Sequence, residues 1–149
     1  MRRLLLVATI FMLAVSTGPA AADPAHAQDY KRMQKLLSSD KTVLGQSIKY
    51  PGPPPAQITS VIVTLTPGES TGWHEHEVPS YGYILEGEAT VDYGSKGTRT
   101  YKAGEAFLEV MNWPHNAKCT SDVPVRILAV FMGASGLKNV VRDETKTPR

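Results

Sequence analysis

Two histidines set one residue apart, His74 and His76, stand between the Pro67-Gly68 turn and the apolar run Tyr83-Ile84-Leu85. Side chains at i and i+2 of an extended strand share a face, roughly 7 Å apart at their Cα atoms, so both imidazoles can converge on one point. That point could hold a metal ion. Two histidines beside a turn can equally be solvated polar residues, and the pair alone does not decide between the two readings.

The frame around the pair decides more. Gly68 precedes His74 by five intervening residues, and Gly87 closes the following strand. This arrangement resembles the first motif of the cupin superfamily, G-x5-H-x-H-x3,4-E-x6-G, with Gly68, His74, His76 and Gly87 in place. Ser80 stands where that motif carries its acidic ligand. A second stretch resembles the second motif, G-x5-P-x-G-x2-H-x3-N. Gly104 and His115 match it, whereas Val110, Asn112 and Cys119 replace its Pro, Gly and Asn. The resemblance implies an all-β fold, a small cupin-type jelly-roll barrel, with a metal near one mouth held by His74, His76 and His115. It also implies that a homodimer is a common assembly.

Three neutral imidazoles suit a divalent transition metal such as Fe, Mn, Zn, Ni or Cu. Three protein ligands leave coordination positions open to water or substrate, as catalytic sites do. A structural or vestigial site would use the same three residues. Glu109 lies inside the run Ala106-Phe107-Leu108-Glu109-Val110-Met111, where a buried carboxylate is costly unless paired, hydrogen-bonded or metal-bound. Glu109 could thus stand in as a fourth ligand for the acid missing at Ser80; an alternating strand would instead turn it to solvent. Cys119, four residues past His115, shares its strand face and could offer a thiolate, although a lone cysteine more often packs as a small hydrophobe. Trp73, Tyr83, Phe107 and Trp113 could line a pocket beside the metal.

The elements that must position these groups are mostly strands. Gln57–Leu65, Tyr81–Leu85, Glu88–Tyr93, Thr98–Lys102, Ala106–Met111, His115–Thr120 and Val125–Met132 are short, β-branched or alternating, and separated by Gly, Pro or Asn. Such a series argues for a sandwich or barrel. Tyr81, Tyr83 and Leu85 share one strand face, a partner surface or part of the core. Ahead of the barrel, Thr42–Tyr50 reads as a strand, and Pro51-Gly52-Pro53-Pro54-Pro55 as a stiff loop. Tyr30, Met33, Leu36 and Leu37 have the spacing of a short amphipathic helical arm within Asp29–Asp40. The expected layout is a leader over 1–22, arm and Pro-rich loop over 23–57, barrel over 58–133, and a C-terminal strand or tail over 134–149.

The leader is argued from Arg2, Arg3 and the apolar run Leu4–Val15, with small-residue cleavage sites after Ala22 or Ala27. It points to export, periplasmic or secreted, with no stable membrane insertion once cleaved. What remains is one domain's worth of chain, about 120 to 130 residues. The formal charge of +2 includes both leader arginines, so the folded part has no basic field to attract nucleic acid. Cys119 is the single cysteine, which excludes an intrachain disulfide. Three function classes stay open: a mononuclear metal enzyme acting on a small molecule, dioxygenase-like or by Lewis-acid chemistry; a non-catalytic module that binds a small ligand or metal; and a structural or storage role as a dimeric scaffold, which the presence of the three histidines disfavours.

Overall fold

Alternation along each strand decides which side chains meet. In β2 (Ser80–Glu86), Ser80, Gly82 and Ile84 turn inward and Tyr81, Tyr83 and Leu85 turn outward. The same two-residue period buries Phe107 and Glu109 of β5 (Ala106–Glu109), Ala117 and Cys119 of β6 (Asn116–Cys119), and every second residue of β7 (Val125–Ala134) from Val125 to Phe131. The structure, a computed structural model, describes residues 34–142.

Among the described residues, seven strands form two antiparallel sheets. The four-stranded sheet has the order β1-β7-β2-β5, where β1 is Ala56–Leu65, and the three-stranded sheet has the order β4-β3-β6, with β3 Glu88–Asp92 and β4 Thr98–Lys102. Leu65, Ile84, Phe107, Val125 and Ile127 of the first sheet pack with Ala89 and Cys119 of the second. This is the two-layer, jelly-roll-like barrel expected of the sequence.

Gly87 alone joins β2 to β3 and carries the chain from one sheet to the other. Its φ of +72° favours glycine, and a Cβ there would lie 2.7 Å from the Pro124 carbonyl oxygen and 2.9 Å from the Val125 Cα. A register shift between Ile84 and Glu86 marks the same corner.

Two expectations ahead of the barrel are corrected. Thr42–Tyr50 is not a strand: Gly45, at φ +80°, donates to the Thr42 carbonyl at 2.9 Å and closes a tight turn, and Lys41 pairs with Ser47. The loop docks through Val43 N–H on the Leu108 carbonyl and through the Gln46 amide, which spans the backbone N–H and C=O of Met111. The described part of the proposed helical arm, from Gln34 to Ser39, has no helix. Ser39 there exchanges side-chain hydrogen bonds with the Lys41 backbone, a local alternative to helical pairing. Tyr30 and Met33 of that arm, and the leader with both cleavage sites, lie outside the described residues.

β7 is central between β1 and β2 and runs to Ala134. The chain then turns at Gly136 (φ +85°) and returns as an arm whose Val141 exchanges both backbone hydrogen bonds with Glu75. Tyr81, Tyr83 and Leu85 lie on the outer face of the larger sheet, where Ile58 and Ile62 are also exposed.

Candidate metal centre

The barrel mouth is built on the loop between β1 and β2. His74 and His115 exchange backbone hydrogen bonds at 3.0 and 2.9 Å, which docks that loop against the start of β6. Asn112, at φ +51°, donates its N–H to the His76 carbonyl at 2.8 Å and anchors the other side. The three imidazoles meet with ring centroids 4.4 to 5.0 Å apart, and one ring nitrogen of each lies within 4.8 Å of the others.

Backbone carbonyls set the tautomers. His74 Nδ1 lies 2.9 Å from the Gly72 oxygen, His76 Nδ1 2.7 Å from the Asn139 oxygen, and His115 Nδ1 3.0 Å from the Trp113 oxygen. A carbonyl only accepts, so each Nδ1 must carry the proton and each Nε2 a lone pair. Burial, reinforced by the neighbouring imidazoles, lowers His74 to about 4 and His76 to about 3, and burial lowers His115 as well. All three are therefore neutral at pH 7, the form that binds a metal. The donor set fits a divalent transition metal.

Glu109 faces inward, 6% exposed, and the solvent-facing alternative is excluded. Its Oε2 is 3.9 Å from His115 Nε2, its Oε1 accepts from Val110 N–H at 2.8 Å, and the buried Tyr93 hydroxyl is a further partner. Burial raises its pKa to about 7 while lowering that of His115, so the contact is not an ion pair in the absence of a cation. A divalent ion among the imidazoles would reverse this and favour the carboxylate. Glu109 is the direct cross-strand neighbour of Ser80 in the β2–β5 register. A carboxylate thus lies beside Ser80 on the adjacent strand, on the same inward face, while the group of ligand atoms within 4.8 Å of one another is made of the three histidines.

A cavity of about 160 Å³ opens above the cluster and is walled by Val63, Val91, Phe107, Ile127, Ala129 and Phe131. Of the aromatics the sequence suggested, Phe107 lines it. Tyr83 points outward, Trp73 lies outside the lining, and Trp113 packs on the Val91–Tyr93 cluster with its indole N–H on the Tyr93 carbonyl at 3.0 Å. Phe131, which the sequence did not single out, sits edge-on to His76 at 5.2 Å between centroids. Cys119 is 1% exposed in the core cluster, its thiol donating to the Val123 carbonyl at 3.3 Å, and it does not join the histidines. The sequence also gave no sign of the C-terminal arm at the site, which supplies the Asn139 carbonyl, Val140 and Arg142.

Residues 61–131 match the family model described as Cupin domain. This is a cupin domain. No curated protein matches the chain. Among solved structures, the oxalate decarboxylase of Lactobacillus farciminis in a formate complex is 22% identical, with a TM-score of 0.50 over 56% of this chain and 26% of its own. An oxalate decarboxylase of Bacillus subtilis studied for its Mn(II) centres is 27% identical, TM-score 0.47, over 56% and 23%. The protein BH2720 of Bacillus halodurans is 16% identical, TM-score 0.49, over 55% and 67%. The chain spans about a quarter of the length of those decarboxylases, and the likeness to the Lactobacillus farciminis enzyme is one of fold.

Proposed function

We propose that this cupin is an exported protein, periplasmic or secreted, that holds one divalent transition metal (Fe, Mn, Zn, Ni or Cu) through His74, His76 and His115, with Glu109 as a fourth protein group. The metal site is open to a small-molecule substrate. One observation carries this reading: three inward imidazoles, each with Nδ1 held by a carbonyl, face a cavity of about 160 Å³. Bound there, such a metal supplies Lewis acidity or, for Fe, Mn or Cu, a redox centre for dioxygenase-like chemistry.

The surrounding residues have separate tasks. The Gly72, Asn139 and Trp113 carbonyls orient the imidazoles. Phe107 and Phe131 limit water around the site. Glu109, bonded by Val110 N–H and Tyr93, can take or release a proton beside the bound molecule. The outer face bearing Tyr81 and Tyr83 is the surface proposed for a homodimer, and the leader reading supports export. The partner is a small molecule, not a nucleic acid, because the sequence has no strong basic field.

Glu109 also favours a second reading. Three histidines plus a carboxylate close a tetrahedral site, so a Zn-loaded chain would act as a non-catalytic binding module. A six-coordinate Fe or Mn would keep positions open for substrate. Metal identity therefore separates the two. The test is elemental analysis of protein purified without chelator or affinity metal, for wild type and His115→Ala. About one metal per wild-type chain and little in the variant supports the centre; equal content in both rejects it.

A further inference from the structure

We propose that the cavity takes a ring-sized, largely apolar molecule bearing one carboxylate, which Arg142 of the C-terminal arm holds at the mouth. This rests on the reading of the barrel mouth as a small-molecule site and narrows it to a class of ligand. The size comes first. A cavity of about 160 Å³ is close to the roughly 150 Å³ of an apolar cavity that accommodates benzene. The walls are mainly apolar, with Val63, Val91, Phe107, Ile127, Ala129 and Phe131 set against polar groups gathered at the three histidines, Ser80, Glu109, Thr71 and Arg142.

Gly82 keeps that space open. It is the cross-strand partner of Phe107, and a Cβ on it would collide with the Phe107 ring, Cε2 lying only 2.7 Å away. The bare backbone lets the ring lie flat on β2, where it also stacks on Tyr101 at 4.1 Å between centroids. Any larger residue at position 82 must displace the ring.

The charge of the ligand follows from the remaining lining. Arg142 is the one arginine or lysine among the described residues that line the cavity, and Glu109 is the one carboxylate. Arg142 Nη1 donates to the Thr71 carbonyl at 2.6 Å, and the Val141–Glu75 pair fixes the residue before it. A guanidinium has five donors in a rigid fork, so one anchoring bond leaves capacity to grip a carboxylate bidentately. Arg142, exposed at the rim, attracts the carboxylate there, so the apolar body points inward against Val63, Phe107 and Ile127.

The probes are benzoate and its neutral isostere benzamide, titrated by calorimetry into metal-free protein so that the metal cannot bind the carboxylate. Wild type is expected to bind benzoate at least about tenfold more tightly than benzamide, a charge-assisted bidentate gain. Arg142→Gln should erase that preference with benzamide binding unchanged, and Arg142→Lys should restore part of it. Gly82→Val, checked for folding by circular dichroism, should bind neither. Equal affinity for the two probes in wild type, no binding of either, or a preference that survives Arg142→Gln would overturn the proposal. Metal content measured on the same protein before the metal is stripped, and after reloading, keeps the two readings apart: discrimination without a metal site rejects only the metal reading, and a metal site without discrimination rejects only this one.

Discussion

At the end of the barrel where Gly87 turns the chain between sheets, the inward positions are Leu65, Ile84, Ala89, Cys119 and Val125, all buried and apolar. Follow the same strands to the other end and the inward positions become Ser80, Glu109 and Phe131, with Tyr93 and His115 just beyond β3 and before β6. Ile84 and Ser80 are four residues apart on one face of β2; Phe107 and Glu109 are two apart on one face of β5. The apolar end holds the sheets together by removing surface from water. The mouth buries polar and titratable groups, whose removal from water is costly, and each is hydrogen-bonded within the fold. The apolar packing and the histidine cluster thus lie toward opposite ends of the barrel, with Phe107 and Ile127 shared between the core and the cavity wall.

Ile84→Ala should show the largest separation. Ile84 is fully buried, and its truncation should cost about 2–5 kcal/mol in urea unfolding, with one metal per folded chain retained. His74→Ala should do the reverse. Metal affinity should fall by more than the roughly 10–100-fold typical of losing an outer-shell partner, while metal-free stability changes by about 1 kcal/mol or less.

Ending the chain after Lys138 removes the Asn139 carbonyl from His76 Nδ1 together with Val140 and Arg142. Metal affinity should fall about 10–100-fold, with the thermal midpoint of the metal-free protein nearly unchanged. A midpoint drop as large as that of Ile84→Ala would show that the arm belongs to the stabilising end.

Acidification sharpens the contrast most gently. His74 and His76 titrate near 4 and 3 when folded against an ordinary 6.5, so between pH 6.5 and 4 the unfolded chain binds more protons and stability falls as pH falls. Glu109, raised from 4.5 to about 7, has the opposite sign: it favours the folded state as pH falls from 7 to 4.5. The histidines outnumber it. Metal-free protein should lose stability on acidification on the order of 1 kcal/mol per pH unit for each net proton, read from thermal midpoints. Ile84→Ala should shift that profile down without changing its shape.

The barrel was legible in the sequence because its strands obey a period of two and its corners need glycine or proline. The His-x-His pair was legible for the same reason, since an extended backbone sends both rings to one face. Glu109 was ambiguous: the run Ala106–Met111 is apolar on both faces, so alternation could not say which face was inside, and only the register with Ser80 settles it. The Asn139 contact had no sequence signature, because a backbone carbonyl is the same group at every residue and its partner lies 63 positions away. Thr42–Tyr50 misled because its β-branched residues suit a strand, yet Gly45 in the left-handed region closes a turn.

The central claim is that His74, His76 and His115 act as one metal site independent of the core. Titration of the metal-free protein with Co(II), followed by visible absorption and far-ultraviolet circular dichroism, tests it most directly. The expected result is saturation at one Co(II) per chain with the β-sheet signal unchanged, and loss of the absorption band in His74→Ala, His76→Ala and His115→Ala, each still folded. A band that survives all three substitutions, or no stoichiometric binding by wild type, would contradict the account.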